Sequence, residues 1–234
     1  MSQLALFNQQ GLLMILRWVH FFFGIVWIGH LYYFNFTQGP FMGETDPATK
    51  SGVTQKLLPR ALWWFRWGAM FTFLSGWAYL GIRGAELGPL FLQASYGVHI
   101  LLGAVIASIM WFNVWFIIWP NQKVVIANAE TVAKGGQANP AAAGSAAKAL
   151  LASRTNTMLS MPMLFFMGAA SHLNIMVTET SKIGALFGTM AVILAAIEFN
   201  AIKGKLGPMT SVKGVIHCGV TLVVAFYALV EFFL

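Results

Sequence analysis

Cysteine is almost absent: Cys218 stands alone among 234 residues. A single thiol excludes an internal disulfide, a CxxCH covalent haem site and a cysteine-ligated iron–sulfur cluster. Cys218 itself reads as an inert buried thiol. Charge is scarce as well. Charged side chains make up 9% of the chain, against ~25% in ordinary soluble domains. With 58% hydrophobic residues and a mean hydropathy of +0.72, this is the composition of a membrane protein. Acidic residues are the rarest, seven against fourteen basic ones, which leaves a net charge of +7. That surplus does not point to nucleic acid. The basic residues lie between apolar runs, where they set membrane orientation. The first ten residues contain no Lys or Arg, so a cleavable signal peptide is not expected. No internal repeat and no second domain is visible.

Aromatic residues, by contrast, are abundant at 15%, nine of them tryptophan. They suit interface belts and packing around a flat cofactor. After a short polar lead-in, Met1 to Gln10, the apolar runs predict six transmembrane helices over about 11–36, 61–82, 94–118, 158–177, 183–202 and 212–234. The fold class is therefore an all-α integral membrane protein, a single six-helix bundle. Residues 37–60 read as a polar loop. Trp119-Pro120 is expected to stop the third helix. The polar section 119–157 is expected on the cytoplasmic side, with an interfacial helix over 140–153.

Six spans place both termini on one face, together with Arg83 and Lys182. The opposite face carries Lys50, Lys56, Arg60, Lys123, Lys134, Lys148, Arg154, Lys203, Lys205 and Lys213. The positive-inside rule assigns this second face to the cytoplasm, so both termini face outside. The expected location is a bacterial inner membrane.

Ionisable side chains at membrane depth are costly and mark functional sites. Counted from the helix ends, His20, His99 and His172 share an outer depth, and His30 and His217 an inner one. Five histidines in two layers point to haem b, one or two, with iron held by imidazoles. A non-haem metal would need three clustered ligands, which only the outer trio supplies. Each histidine alone reads equally well as a hydrogen-bonding group between helices. Arg17 lies three residues before His20, on the same helical face, placed to hold a haem propionate. In the inner layer, Arg66 and Glu198 are candidates for binding an anionic substrate and shuttling its proton. The plainer alternative is that they neutralise each other or snorkel to the interface. Met158, Met161, Met163 and Met167 read as packing.

Five stretches together resemble a known family: RWVHFFFGIVWIGHLYYFNF (17–36), LPRALWWFRWGAMFT (58–72), NVWFIIWPNQK (113–123), SRTNTMLSMPMLFFMGAASH (153–172) and VIHCGV (215–220). The family is the urate oxidase N-terminal membrane domain. It is the membrane part of bacterial cytochrome-c-linked urate oxidases, whose long members carry a C-terminal cytochrome c. The resemblance covers most of residues 11–234 and implies a membrane-bound redox role. His20, His172 and His217 stand within the matching stretches. Since this sequence stops at Leu234 without a CxxCH, it reads as a short form. Electrons would then leave to a separate periplasmic cytochrome c or to other subunits of a redox complex. Two further readings stand beside this one. The first is a non-catalytic subunit that scaffolds a respiratory or photosynthetic complex. The second is a small-anion transporter using Arg66, weakened by the lack of an inverted repeat.

Overall fold

The computed structural model describes residues 5–234. It is all-helical, with no strand among those residues. Six long helices form the bundle. Helix α1 runs Gln9–Glu44 and contains a π turn at Tyr33–Gln38. Helix α2 runs Leu58–Leu87, α3 Ser95–Ala133, α4 Ala142–His172, α5 Ile183–Lys203 and α6 Val212–Phe233. Asn8 caps α1 by accepting from the Gly11 N–H, and Ser211 caps α6 by accepting from Gly214. Side-chain oxygens at these positions satisfy amides that a helix start leaves without partners.

Four of the six helices, α1, α3, α5 and α6, are long and apolar enough to cross a membrane. Their outward faces are strongly apolar: Ile25 is 75% exposed, Val192 72% and Phe232 76%. Such faces are stable against lipid and not against water. The other two helices are less apolar for different reasons. Helix α2 carries Arg60, Arg66, Arg83 and Glu86. Helix α4 lies in the centre, against α1, α3, α5 and α6. It faces protein instead of lipid, so it tolerates Arg154, Thr155, Asn156, Thr157 and Ser160, all buried.

Helices α1 and α2 pack closely along a stripe of small residues on α2, Gly68, Thr72 and Gly76. A Cβ at Gly68 would lie 3.0 Å from the Trp27 backbone nitrogen and 3.3 Å from the Phe23 carbonyl. Small residues at four-residue spacing let two backbones approach in this way. The core continues through Trp27, Leu31, Phe65, Ile106, Met110, Leu159 and Phe166.

Three expectations are corrected. The stretch 37–60 is not a loop. It is helical at Gly39–Glu44 and Pro47–Gly52, followed by a π turn at Val53–Leu57 that leads into α2. Pro120 does not stop α3, which continues to Ala133. A proline clashes with the carbonyl four residues back, here Phe116. That carbonyl lies in the π turn Asn113–Ile118, where the Trp119 N–H reaches back to Val114. The wider turn gives the proline ring room. The segment 140–153 is not a separate interfacial helix; from Ala142 it is the first part of α4. The polar lead-in begins outside the described residues, and Ala5–Phe7 forms one 3-10 turn before α1.

Candidate functional site

The end of the bundle that holds the start of α1 and the end of α4 contains a cavity of about 420 Å³ between α1, α2, α3 and α4. Ligand pockets fall in the range ~300–1,000 Å³ and are mostly apolar with a few convergent polar groups. The polar groups here include Arg17, His20, Thr72, Tyr79, Tyr96 and His172. Trp27, Phe73 and Trp77 supply flat apolar wall.

His20 is held in a defined state. Its Nδ1 lies 2.9 Å from the Thr72 carbonyl on α2. A carbonyl only accepts, so Nδ1 carries the hydrogen and Nε2 keeps its lone pair. A backbone carbonyl behind one ring nitrogen is the arrangement that orients metal-binding imidazoles. Gly76 makes the space for the ring: a Cβ there would sit 2.9 Å from His20 Cε1. Arg17, three residues earlier, donates to the Tyr79 hydroxyl and lies over the Tyr79 ring, 5.0 Å from its centroid. His172 reaches the same cavity from the C-terminal end of α4.

His99 does not join them. It is fully buried, but its ring stacks on Phe166 with centroids 5.9 Å apart, and it does not line the cavity. Its Nε2 has no partner and its Nδ1 lies 3.4 Å from the Ser95 hydroxyl. Among the described residues, no three His, Cys, Asp or Glu side chains gather as a metal-ligand group. The outer trio therefore does not converge on a non-haem metal. The inner pair is also separate. His30 bonds to the Val26 carbonyl of its own helix at 2.7 Å and lines an open groove between α1 and α2. His217 is exposed on α6 and lines neither space.

Arg66 and Glu198 are apart too. The Arg66 guanidinium lies 3.8 Å over the Trp119 ring, with the Lys123 ammonium 5.7 Å from the same ring. Ion pairs among the described residues are Arg83–Glu86 and Lys182–Glu179. Glu198 instead accepts from the Asn113 amide at 3.0 Å. Asn113 also donates to Asn156 Oδ1 at 2.9 Å, and Asn156 donates to the Met110 carbonyl at 2.8 Å. Nearby on α4, Ser153 accepts from Asn35, and Ser160 meets the Tyr32 hydroxyl. This inner layer is a polar network centred on α4 and flanked by the π turns of α1 and α3. Turns of that kind recur at functional sites.

Reading the sequence alone missed several of these residues. Tyr79, Tyr96 and Trp77 carry no spacing signal, because they meet only across helices. The four-residue spacing of Gly68, Thr72 and Gly76 is the sequence signal that marks the seam that seats His20. Asn156 stands in the polar run RTNTMLS, at the end of the section 119–157 that reads as polar and ahead of the fourth span, whereas the structure buries it inside α4.

No curated protein and no solved structure matches the chain. The family model described as urate oxidase N-terminal matches residues 87–228. The matched part includes Asn113, Asn156, His99, His172, Glu198 and His217. Covering more than half of the residues, the match shows that the chain belongs to the urate oxidase N-terminal family.

Proposed function

We propose that the protein is a membrane electron-transfer protein that binds haem b in the outer cavity. One observation supports this above all: His20 and His172 face one aromatic-walled cavity beside Arg17, with His20 Nε2 left free by the Thr72 carbonyl. His20 Nε2 and His172, on α1 and α4, are the residues that would hold the haem iron. Arg17, steadied by Tyr79, offers a fork for a propionate. The surrounding indole and phenyl rings of Trp27, Phe73 and Trp77 would supply flat apolar contact to the macrocycle. When bound, haem b supplies reversible one-electron exchange. His99, His30 and His217 are assigned no ligand role in this reading.

All six helices would cross a bacterial inner membrane, α4 packed among its neighbours and α2 turning Trp63, Trp64, Phe71 and Leu74 outward. The basic end formed by 39–60 and 119–154 would face the cytoplasm and both termini the outside. That arrangement puts the cavity near the outer surface, where a periplasmic cytochrome c or a partner subunit would take electrons. An anionic donor such as urate would meet Arg66 and Lys123 at the inner end, beside Trp119. The test is a pyridine haemochrome assay and a reduced-minus-oxidised spectrum of the purified protein. We expect b-type bands, lost in His20→Ala and kept in His30→Ala and His217→Ala. A wild-type protein without such bands overturns the proposal. The same result would favour a scaffolding subunit, the reading supported by the dispersed positions of the other histidines.

A further inference from the structure

Glu198 stands apart from every other acidic residue in the chain. The other six, Glu44, Asp46, Glu86, Glu130, Glu179 and Glu231, are exposed, whereas Glu198 is half-buried on α5. Its Oε2 accepts from the Asn113 amide nitrogen at 3.0 Å. Its Oε1 is sealed from solvent and has no partner. Asn113 is fully buried, and its own Oδ1 is likewise sealed and without a partner. Two groups already joined by one hydrogen bond thus each present an orphan acceptor oxygen. A buried acceptor without a donor is costly, and neither oxygen can turn to solvent.

One proton removes both deficits. A protonated Glu198 donates its Oε1–H, and the Asn113 Oδ1 is the acceptor belonging to the amide it already holds. Carboxylic acid and primary amide then form a two-hydrogen-bond pair, each group donating once and accepting once. An ionised Glu198 would be a charge at membrane depth with a single hydrogen bond. No cation comes to its aid, since Lys, Arg and His form no ion pair with it among the described residues. The groups around it agree. The groove beside it is lined by Phe73, Trp77, Ser108, Trp111 and Phe112, none of them charged. Ser108 is occupied, donating to the Ala104 carbonyl and accepting from Trp77. From α4 the facing group is Asn156, already bonded to Asn113 and to the Met110 carbonyl. Arg154, two residues before it and buried, pairs with no carboxylate.

We propose that Glu198 and Asn113 form a proton-binding site, in which Glu198 is a neutral carboxylic acid at neutral pH and gives its hydrogen to the Asn113 carbonyl. The site does not depend on haem and can be tested without it. Infrared difference spectroscopy on the purified protein in lipid reads it directly. The wild type should show one carbonyl stretch of a protonated carboxylic acid at neutral pH, displaced in heavy water. Glu198→Gln should abolish that band yet fold normally, because the glutamine amide reproduces both hydrogen bonds of the acid. Asn113→Ala should keep the band and shift it, since the carbonyl partner is gone. A wild-type spectrum without the band overturns the proposal, as an ionised carboxylate with a trapped water or cation would give. So does a band that survives in Glu198→Gln, or a Glu198→Gln chain that does not fold.

Discussion

Replacing Gly76 by alanine tests the geometry of the outer site with a single methyl group. The new Cβ would lie 2.9 Å from His20 Cε1 and 3.0 Å from Nδ1. Carbon atoms settle at ~3.5–4.0 Å, so the ring must back away from α2 by roughly 0.5 Å or more. Thr72, whose carbonyl accepts from Nδ1 at 2.9 Å, is on the same helix one turn away. Retreat therefore stretches that hydrogen bond too, beyond the ~2.7–3.2 Å range of N–H···O bonds. Its loss costs about 1 kcal/mol. Alanine returns nearly the same amount, since glycine within a helix is ~0.8–1.0 kcal/mol less favourable. The net change in stability is thus near zero. A Cβ at Gly81 on the same helix would meet nothing within 4 Å, so Gly81→Ala should keep the full gain. Thermal unfolding of the purified variants should place Gly81→Ala about 2–4 °C above Gly76→Ala. Haem occupancy should fall in Gly76→Ala alone. Equal stabilisation of the two variants, with occupancy unchanged, would refute the placement of His20.

Asn156→Ala should destabilise by roughly 2–4 kcal/mol, because it strips the Asn113 amide and the Met110 carbonyl of a buried partner; thermal melts in detergent check it. Asp46 caps the helix at Pro47 by accepting from the Thr49 hydroxyl and from the Thr49 and Ala48 N–H groups. These bonds, the Thr49 hydroxyl first, hold its carboxyl below the ordinary 3.8. A depressed native pKa adds stability that is complete above the unfolded value and lost as pH falls through the folded one. Protection of the Ala48 and Thr49 amides from hydrogen exchange should therefore be flat at neutral pH and fall only below about pH 3.8. In a Cys218→Ser background, a cysteine replacing Gly135 should react with a membrane-impermeant maleimide only from the cytoplasmic side. One replacing Ser181 should react only from outside; labelling of both from one side would exclude the six-span arrangement.

Composition alone pointed to the class of the protein, because 9% charge and long apolar runs are what a lipid environment selects, and four helices are long and apolar enough to cross a membrane. Helix positions also followed largely from the apolar runs, since each spanning segment must satisfy its own backbone. Family membership was legible in short stretches such as NVWFIIWPNQK, within residues 87–228. Depth along each helix was legible as well, through the fixed rise per residue. Rotation about the helix axis was not. His20, His99 and His172 share a depth, yet only His20 and His172 turn toward one cavity, while His99 turns to Phe166. That choice depends on which helices are neighbours and on the small residues that let α1 and α2 close together. The π turns at Tyr33–Gln38 and Asn113–Ile118 add a further rotation that no regular period contains. One of them carries α3 through Pro120. The same turn begins with Asn113, the residue that meets Glu198. Sequence placed an acid at membrane depth; only the packing of α3, α4 and α5 gave it an amide partner.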